Sequence, residues 1–332
     1  MNIQPESAVV RGRIAAALLL VCGLAGGAAT AAEPSYPSRP VRLIVPFAPA
    51  GTADTVGRIM AEALSPRLGQ PVIADNRAGA NMVVGCEILA KATPDGQTLI
   101  IVAAGFSVNP SLRKKLPYDS LRDFAPVGLA GTGPYLLSVH PSVPAKTLNE
   151  FITWAKARPG QVTYASTGVG SPPHLAAELM RSMAGLDIVH VPYKGGGQVM
   201  PDFLSGRIPM FFGSISTLVA HIRAGRLTAI AMTTPKRNPA MPEVPTFEES
   251  GLKGYDVTGW YGILAPGKTP RPIISRLNTL LHDAQSDPAV QKQLTSRGID
   301  PVKTTPEEFG ALIKREIPKW AKVMKSAGIE PQ

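Results

Sequence analysis

Cysteine is almost missing from this chain. There are two in 332 residues, Cys22 and Cys86. Cys22 lies in an apolar N-terminal run, so a processed chain would keep Cys86 alone. A single thiol forms no internal disulfide, and the fold must be held by its core. Cys86 sits in the helical pattern VVGCEILAKA, where a small packing residue is expected. Catalytic signatures are equally scarce. The chain has no G-x-S-x-G elbow, no H-E-x-x-H and no C-x-x-C. That removes the usual spacings of a hydrolase nucleophile, a zinc protease and a thiol redox centre. No metal and no cofactor are expected. Dense basic runs are also lacking. Lys and Arg total 34 against 24 Asp and Glu, for a formal charge of +10, but they are scattered. They read as solvated surface charge that attracts anionic solutes, with no nucleic-acid partner.

The N-terminus reads as an address. Arg11 and Arg13 precede an apolar run over residues 14–29, and Ala29-Thr30-Ala31 is a small-residue cleavage signal. Residues 1–32 are expected to be a cleaved secretory signal peptide and the mature protein to be periplasmic. About 300 residues then remain, enough for two lobes of ordinary domain size. No later segment is long and apolar enough to span a bilayer.

Proline is abundant, with 33 residues, about twice the usual ~5%. Many sit at the ends of periodic segments and predict short, stiff connections. Apolar runs at 41–47, 71–76, 98–104, 162–166, 188–191, 210–213, 227–232 and 260–265 predict strands. Helical spacing marks 55–65, 85–92, 148–157, 198–205, 216–224, 271–285, 289–297 and 306–327, with a further helix starting near Leu175. Residues 125–139 read as extended. Alternating strands and helices predict α/β architecture with mainly parallel sheets. Ligands of such sheets sit beyond the C-terminal strand ends.

Two segments share one plan of apolar run, Gly-rich loop and helix: VRLIVPF-APAGTAD-TVGRIMAEAL and VTYAS-TGVGSPPH-LAAELMRSM. A helix N-terminus exposes N–H donors and a positive dipole end, a ready site for a carboxylate. The second loop holds Gly168-x-Gly170 but continues Ser171-Pro172-Pro173, without the third glycine of a dinucleotide fingerprint. Ser171 is expected to cap the following helix. Asp54 is read as a cap that fixes the first loop. His174 either donates to an anion or holds its own loop.

In order, VRLIVPFAPAGTADTVGR, DNRAGAN, AKATPDGQTLI, NPSLRKKLPYDSLRDFAPV, VHVPYKG and GWYGILAPGKTP resemble the Bug-type (TctC-like) receptors of tripartite tricarboxylate transporters. The resemblance covers nearly all of the chain after residue 36. It implies a two-lobed type II periplasmic binding protein fold, each lobe a mainly parallel sheet flanked by helices. Lobe one would be 36–133 plus 258–332, and lobe two 134–257. It implies a receptor, not an enzyme, that closes on a small carboxylate and delivers it to integral membrane transporter subunits. A ligand sensor docking on a signalling protein is the alternative, and an exported hydrolase a remoter one.

Carried onto this sequence, the resemblance places the ligand against Phe47, Ala50, Gly51, Thr52 and Asp54 of the first loop. It adds Phe106 and Ser107 after the third strand, then Thr167, Gly168, Gly170, Ser171 and His174 of the second loop, and Ser214. Three positions depart from the family pattern. Ala50-Gly51 replaces Gly-Gly, Phe106-Ser107 replaces a more polar pair, and Gly213-Ser214 stands where Asp is frequent. The last two suggest a larger or aromatic acid rather than an amino acid.

Overall fold

The computed structural model describes Met1 and residues 36–331. The expected signal peptide and Cys22 lie outside the described residues. From Tyr36 onward the chain forms one compact unit.

The first βα unit is strand β1 (Val41–Val45) and helix α1 (Thr52–Leu68), followed by β2 (Val72–Asn76), α2 (Val83–Ala90) and β3 (Thr98–Ala103). β1 pairs in parallel with both β2 and β3. Its VRLIV sequence is buried at four of five positions, as a strand covered on both faces requires. Helix α1 buries Val56, Ile59, Met60, Ala63 and Leu64, the positions that helical spacing singles out. It runs longer than the predicted 55–65, and Pro66 falls inside it. A 3-10 turn (Ala104–Ser107) and the short helix α3 (Asn109–Leu112) follow β3. Sequence periodicity missed both, since each is a single turn.

Strand β4 (Phe124–Val139) is 16 residues long. It joins two groups of strands by changing partners along its length. Its first part pairs antiparallel with β9 (Thr258–Pro266), down to Pro134 opposite Thr258. From Tyr135 onward it pairs with β7 (Met210–Ser214), and from Leu136 with β8 (Thr228–Met232). Between these lie α4 (Leu148–Lys156), β5 (Val162–Ser166), α5 (Pro172–Ala184), β6 (Ile188–Pro192), α6 (Gly196–Leu204) and α7 (Ile215–Arg223). β5 pairs in parallel with β6 and β7. The strand order is β2-β1-β3-β9-β4-β7-β5-β6, with β8 also on β4. Helices α8 (Arg271–Ser286), α9 (Pro288–Thr295) and α10 (Pro306–Ser326) complete the chain.

The partner change on β4 falls among glycines. Gly133 and Gly259 are cross-strand partners. A Cβ on Gly259 would meet Gly133 O at 2.8 Å, and one on Gly133 would meet Gly298 O at 2.8 Å. The core divides accordingly. Val45, Met60, Ile101 and Leu264 belong to one apolar cluster, and Tyr164, Leu175, Phe212 and Tyr255 to another. Helix α10 spans both, with Phe309 and Ile313 in the first and Trp320, Val323 and Met324 in the second. Glu316 ties it to β9, since its Oε2 accepts from Trp260 Nε1 at 2.8 Å and from Trp320 Nε1 at 3.3 Å. Cys86 is fully buried, a packing residue.

Candidate functional site

Helix α1 starts at the C-terminal end of β1, behind the loop 46–51. Gly51 is its N-cap, and no side chain caps it. Asp54 is therefore not the capping residue the sequence suggested. Its carboxylate instead ties the loop together from within. Oδ2 accepts from the Ala50 N–H at 3.0 Å and from Arg58 Nε at 3.0 Å, and Oδ1 accepts from Asn76 Nδ2 at 2.8 Å. Burial opposes the charge on Asp54, but the bonds from Arg58, Asn76 and Ala50 outweigh it and hold its pKa below the usual 3.8. Ala50 adopts φ +66, a left-handed conformation that costs an alanine about 1–2 kcal/mol. Its N–H, expected to face a ligand, is spent on Asp54. The N–H groups of Thr52, Ala53 and Asp54 take no partner among the described residues, so the donor end of α1 is intact. Phe47 is half-buried against the first core cluster, and its carbonyl accepts from Asn76 Nδ2.

The second loop has the same outline and a different interior. Ser171 is the N-cap of α5, yet its hydroxyl makes no capping bond and is buried without a partner among the described residues. Pro172 and Pro173 open the helix and have no N–H to offer. The Gly168 N–H donates to Ser166 Oγ at 3.1 Å, and the Gly170 N–H to His174 Nδ1 at 3.0 Å. The Ser171 N–H donates to Gly168 O. Gly168, Gly170 and His174, expected at the ligand, thus bond one another and Ser166. Thr167 and Val169 keep N–H groups without partners among the described residues.

A third element meets the first of these loops. Thr52 Oγ1 lies 3.3 Å from Ser214 Oγ and 3.3 Å from Ser216 Oγ. Ser214 Oγ is in turn 3.0 Å from Ser216 Oγ and 2.8 Å from Thr217 Oγ1. The N-terminus of α7 therefore meets that of α1 through four hydroxyls. Sequence reasoning named Thr52 and Ser214 but missed Ser216 and Thr217. The signal was the hydroxyl-rich Ser214-Ile215-Ser216-Thr217 at a strand-to-helix turn. Gly196, at the start of α6, adjoins the second loop, since a Cβ there would lie 4.0 Å from Thr167 Cγ2.

Two expectations about ligand size lose their basis. Phe106 has no exposed surface. It stacks on Tyr118 at 6.4 Å and meets Phe124 edge-on at 5.2 Å, so its ring belongs to the core. Gly213 leaves no spare volume, because a Cβ there would sit 2.7 Å from Leu218 Cδ1 and 2.9 Å from Phe211 Cε1. Ser107 is also fully buried, its hydroxyl without a partner among the described residues.

Two features that would suggest other chemistry have structural explanations. Ser166 Oγ lies 2.6 Å from His190 Nε2, the spacing of a nucleophile and its base. Ser166 has no exposed surface, however, and its hydroxyl also donates to Gly168 O at 3.1 Å. The run Gly262–Thr269, GILAPGKT, fits the letters of a phosphate-binding loop. Residues 262–266 are nevertheless ladder residues of β9. A Cβ on Gly262 would meet the Phe309 ring at 2.2 Å, so this stretch is sheet rather than a phosphate cradle. Among the described residues no His, Cys, Asp or Glu cluster fits a metal ion. No described helix is long and apolar enough to cross a membrane. A groove of about 310 Å³ lined by Leu121, Phe124, Pro126 and Ile313 contains none of the loop residues.

Comparison with known proteins agrees with this architecture. The chain is 36% identical over 318 residues to Protein BugT of Bordetella pertussis, covering 95% of this chain and 98% of that one. The structure "R. palustris Rpa4515 with adipate" superposes with a TM-score of 0.82 at 34% identity, covering 90% of this chain and all of that one. "MatC (Rpa3494) from Rhodopseudomonas palustris with bound malate" gives 0.78 at 32%, covering 87% and 99%. The fold is the α/β type II periplasmic binding protein fold. The family profile described as "Tripartite tricarboxylate transporter family receptor" matches residues 56–329, and this chain belongs to that TctC family of solute-binding receptors.

Proposed function

We propose that this chain captures one small carboxylate between two lobes, residues 36–133 with 258–332 and residues 134–257, in the periplasm. It then presents the closed form to the membrane subunits of a tripartite tricarboxylate-type transporter. The observation that carries this reading is the contact of Thr52 with Ser214 and Ser216, which brings two helix N-termini from opposite sides of the β4 crossing together. The adipate and malate held by two relatives support a carboxylate as the solute class.

The ligand contacts in this reading are Phe47, Gly51, Thr52, Thr167, Ser214, Ser216 and Thr217, with the unpartnered buried hydroxyls of Ser107 and Ser171 as further candidates. One exposed helix terminus contributes only ~0.3–1 kcal/mol to holding an anion. Micromolar binding requires about −8 kcal/mol. Several enclosed donors and contact with the ligand's carbon chain are therefore needed together. Closure follows because the ligand touches both lobes in the closed form alone.

The test is calorimetric titration of the signal-less protein with adipate and malate, and with their diamides, after refolding to remove any co-purified solute. Binding of an acid but not its diamide, weakened at least tenfold by the double variant Thr52→Ala/Ser214→Ala, is the expected result. Equal binding of acid and diamide, or no effect of the double variant, would overturn it.

A further inference from the structure

The second loop stands on a pair of stacked imidazoles. The rings of His174 (α5) and His190 (β6) lie 3.9 Å apart and 11° from parallel, with the Tyr164 ring of β5 beside both, 5.0 Å from His190 and 6.3 Å from His174. Each histidine engages one end of the loop. His174 Nδ1 accepts the Gly170 N–H, which fixes its proton on Nε2 when the ring is neutral. His190 Nε2 meets Ser166 Oγ, which in turn accepts the Gly168 N–H.

The charged and titratable groups facing the pair come from two directions. Glu178 and Arg181 lie on α5, paired at 2.7 Å, and Tyr164 of β5 donates to Glu178 Oε1 at 2.5 Å. Arg181 also donates to Ala327 O, past the end of α10. Burial is the main reason both imidazoles resist protonation. The Arg181 charge adds to this at His174, and His174 itself adds to it at His190, where Glu178 opposes.

We propose that His174 and His190 are positioning residues of ligand capture: as a stacked pair they hold the second loop, His174 by accepting the Gly170 N–H and His190 through Ser166, whose Oγ accepts the Gly168 N–H, and so leave the N–H groups of Thr167 and Val169 for the solute. Protonation of His174 at Nδ1 would convert the acceptor of the Gly170 bond into a donor. Two imidazolium rings at this separation would also repel. The first event releases the Gly170 N–H, and the second displaces His190 from the Ser166 hydroxyl that holds the Gly168 N–H. The inference rests on the second loop being part of the carboxylate site, so one arm of its test needs no ligand.

In that first arm, nitrogen-detected NMR of the free protein reads the histidine tautomers and the Gly168 and Gly170 amides from pH 8 to pH 4. The expected result is an Nε2–H tautomer at His174, with both glycine amides shifting only as the histidines titrate, below the ordinary 6.5. A His174 that carries its proton on Nδ1 at pH 7, or glycine amides indifferent to the titration, would overturn the proposal whatever the ligand.

The second arm compares binding of adipate and malate by the wild type, His174→Asn and His174→Leu. Thermal unfolding confirms that each variant is folded. Asn offers an oxygen near the place of Nδ1 and cannot be protonated. It should keep the wild-type Kd within about threefold at pH 7, while Leu weakens it at least tenfold. Between pH 7 and pH 4 the wild type should weaken more than His174→Asn, the ligand's own titration being common to both. Equal binding by Leu and Asn variants would overturn the proposal. If no variant and no wild type binds either acid while the NMR result holds, the carboxylate reading has failed and the loop architecture has not.

Discussion

The two Gly-rich loops look alike in sequence and differ in what they do with their amide groups. The first is braced by a side chain, Asp54, which takes the Ala50 N–H and two neighbouring side chains. It leaves the first turn of α1 with its donors unspent. The second opens its helix with two prolines and spends both glycine N–H groups on His174 and Ser166. One loop leads into a helix terminus with unspent donors and is braced by a carboxylate, the other is a bonded turn standing on imidazoles. A shared strand–loop–helix plan therefore does not imply a shared donor supply. The brace decides that, and two of its residues, Asp54 and His174, are ones that sequence reading placed at the ligand.

Acid separates the two braces most strongly. The folded protein holds His174 and His190 neutral down to about pH 4, against 6.5 for a free imidazole. The unfolded chain takes up those protons first, so stability is fully present above 6.5 and is lost as pH falls toward 4. For His174, 3% exposed, the loss is on the order of 3 kcal/mol, with His190 acting in the same direction. Asp54, its pKa held below 3.8, gives way only at lower pH. Thermal melts from pH 7.5 to 4 should show a falling Tm, with the decline reduced in His174→Asn. A flat profile would mean the imidazoles are not held neutral.

The next largest effect is expected from Asp54→Ala. It leaves the Ala50 N–H and the half-buried Asn76 amide without their acceptor and frees Arg58. Loss of a buried, bonded carboxylate should cost roughly 3 kcal/mol and should abolish carboxylate binding, as read by urea unfolding and calorimetry. A change below about 1 kcal/mol would show that the loop holds itself without Asp54.

The finest comparison sets one glycine of each loop against the other. Gly170 has φ +75, and a Cβ there would stand 2.5 Å from Leu112 Cδ2. Gly170→Ala should destabilise by about 2 kcal/mol through strain and overlap together. Gly51 has φ −77, with only Ala48 O near, at 3.7 Å. Gly51→Ala should change stability by no more than about 0.5 kcal/mol. Similar melting temperatures for the two variants would erase the distinction drawn between the loops.

Much of the architecture was legible beforehand because it rests on periodic apolar burial. The strand at 41–45 and the helices from Leu148 and Arg271 follow from side-chain spacing alone, which chain neighbours largely decide. The single-turn elements after β3 were not legible, since one turn has no period to detect. At the site, Thr52 and Ser214 were named from the sequence, but Ser216 and Thr217 acquired their place only when α7 met α1. Phe106 was placed at the ligand by the resemblance, as part of the loop after the third strand. Tyr118 and Phe124, which enclose it, arrive from a later loop and strand.

The sequence by itself determined the alternation of strands and helices, the two loops behind helix N-termini and the family to which the chain belongs. Those depend on local propensity and on motifs contiguous along the chain. Tertiary structure alone decided which N–H groups remain available, which hydroxyls meet across the β4 crossing, and that His174 stacks on His190. Each of those is a hydrogen bond or stacking contact between residues distant in sequence or turned toward one another by the fold. The competition between such partners for a donor is settled by geometry that no local pattern records.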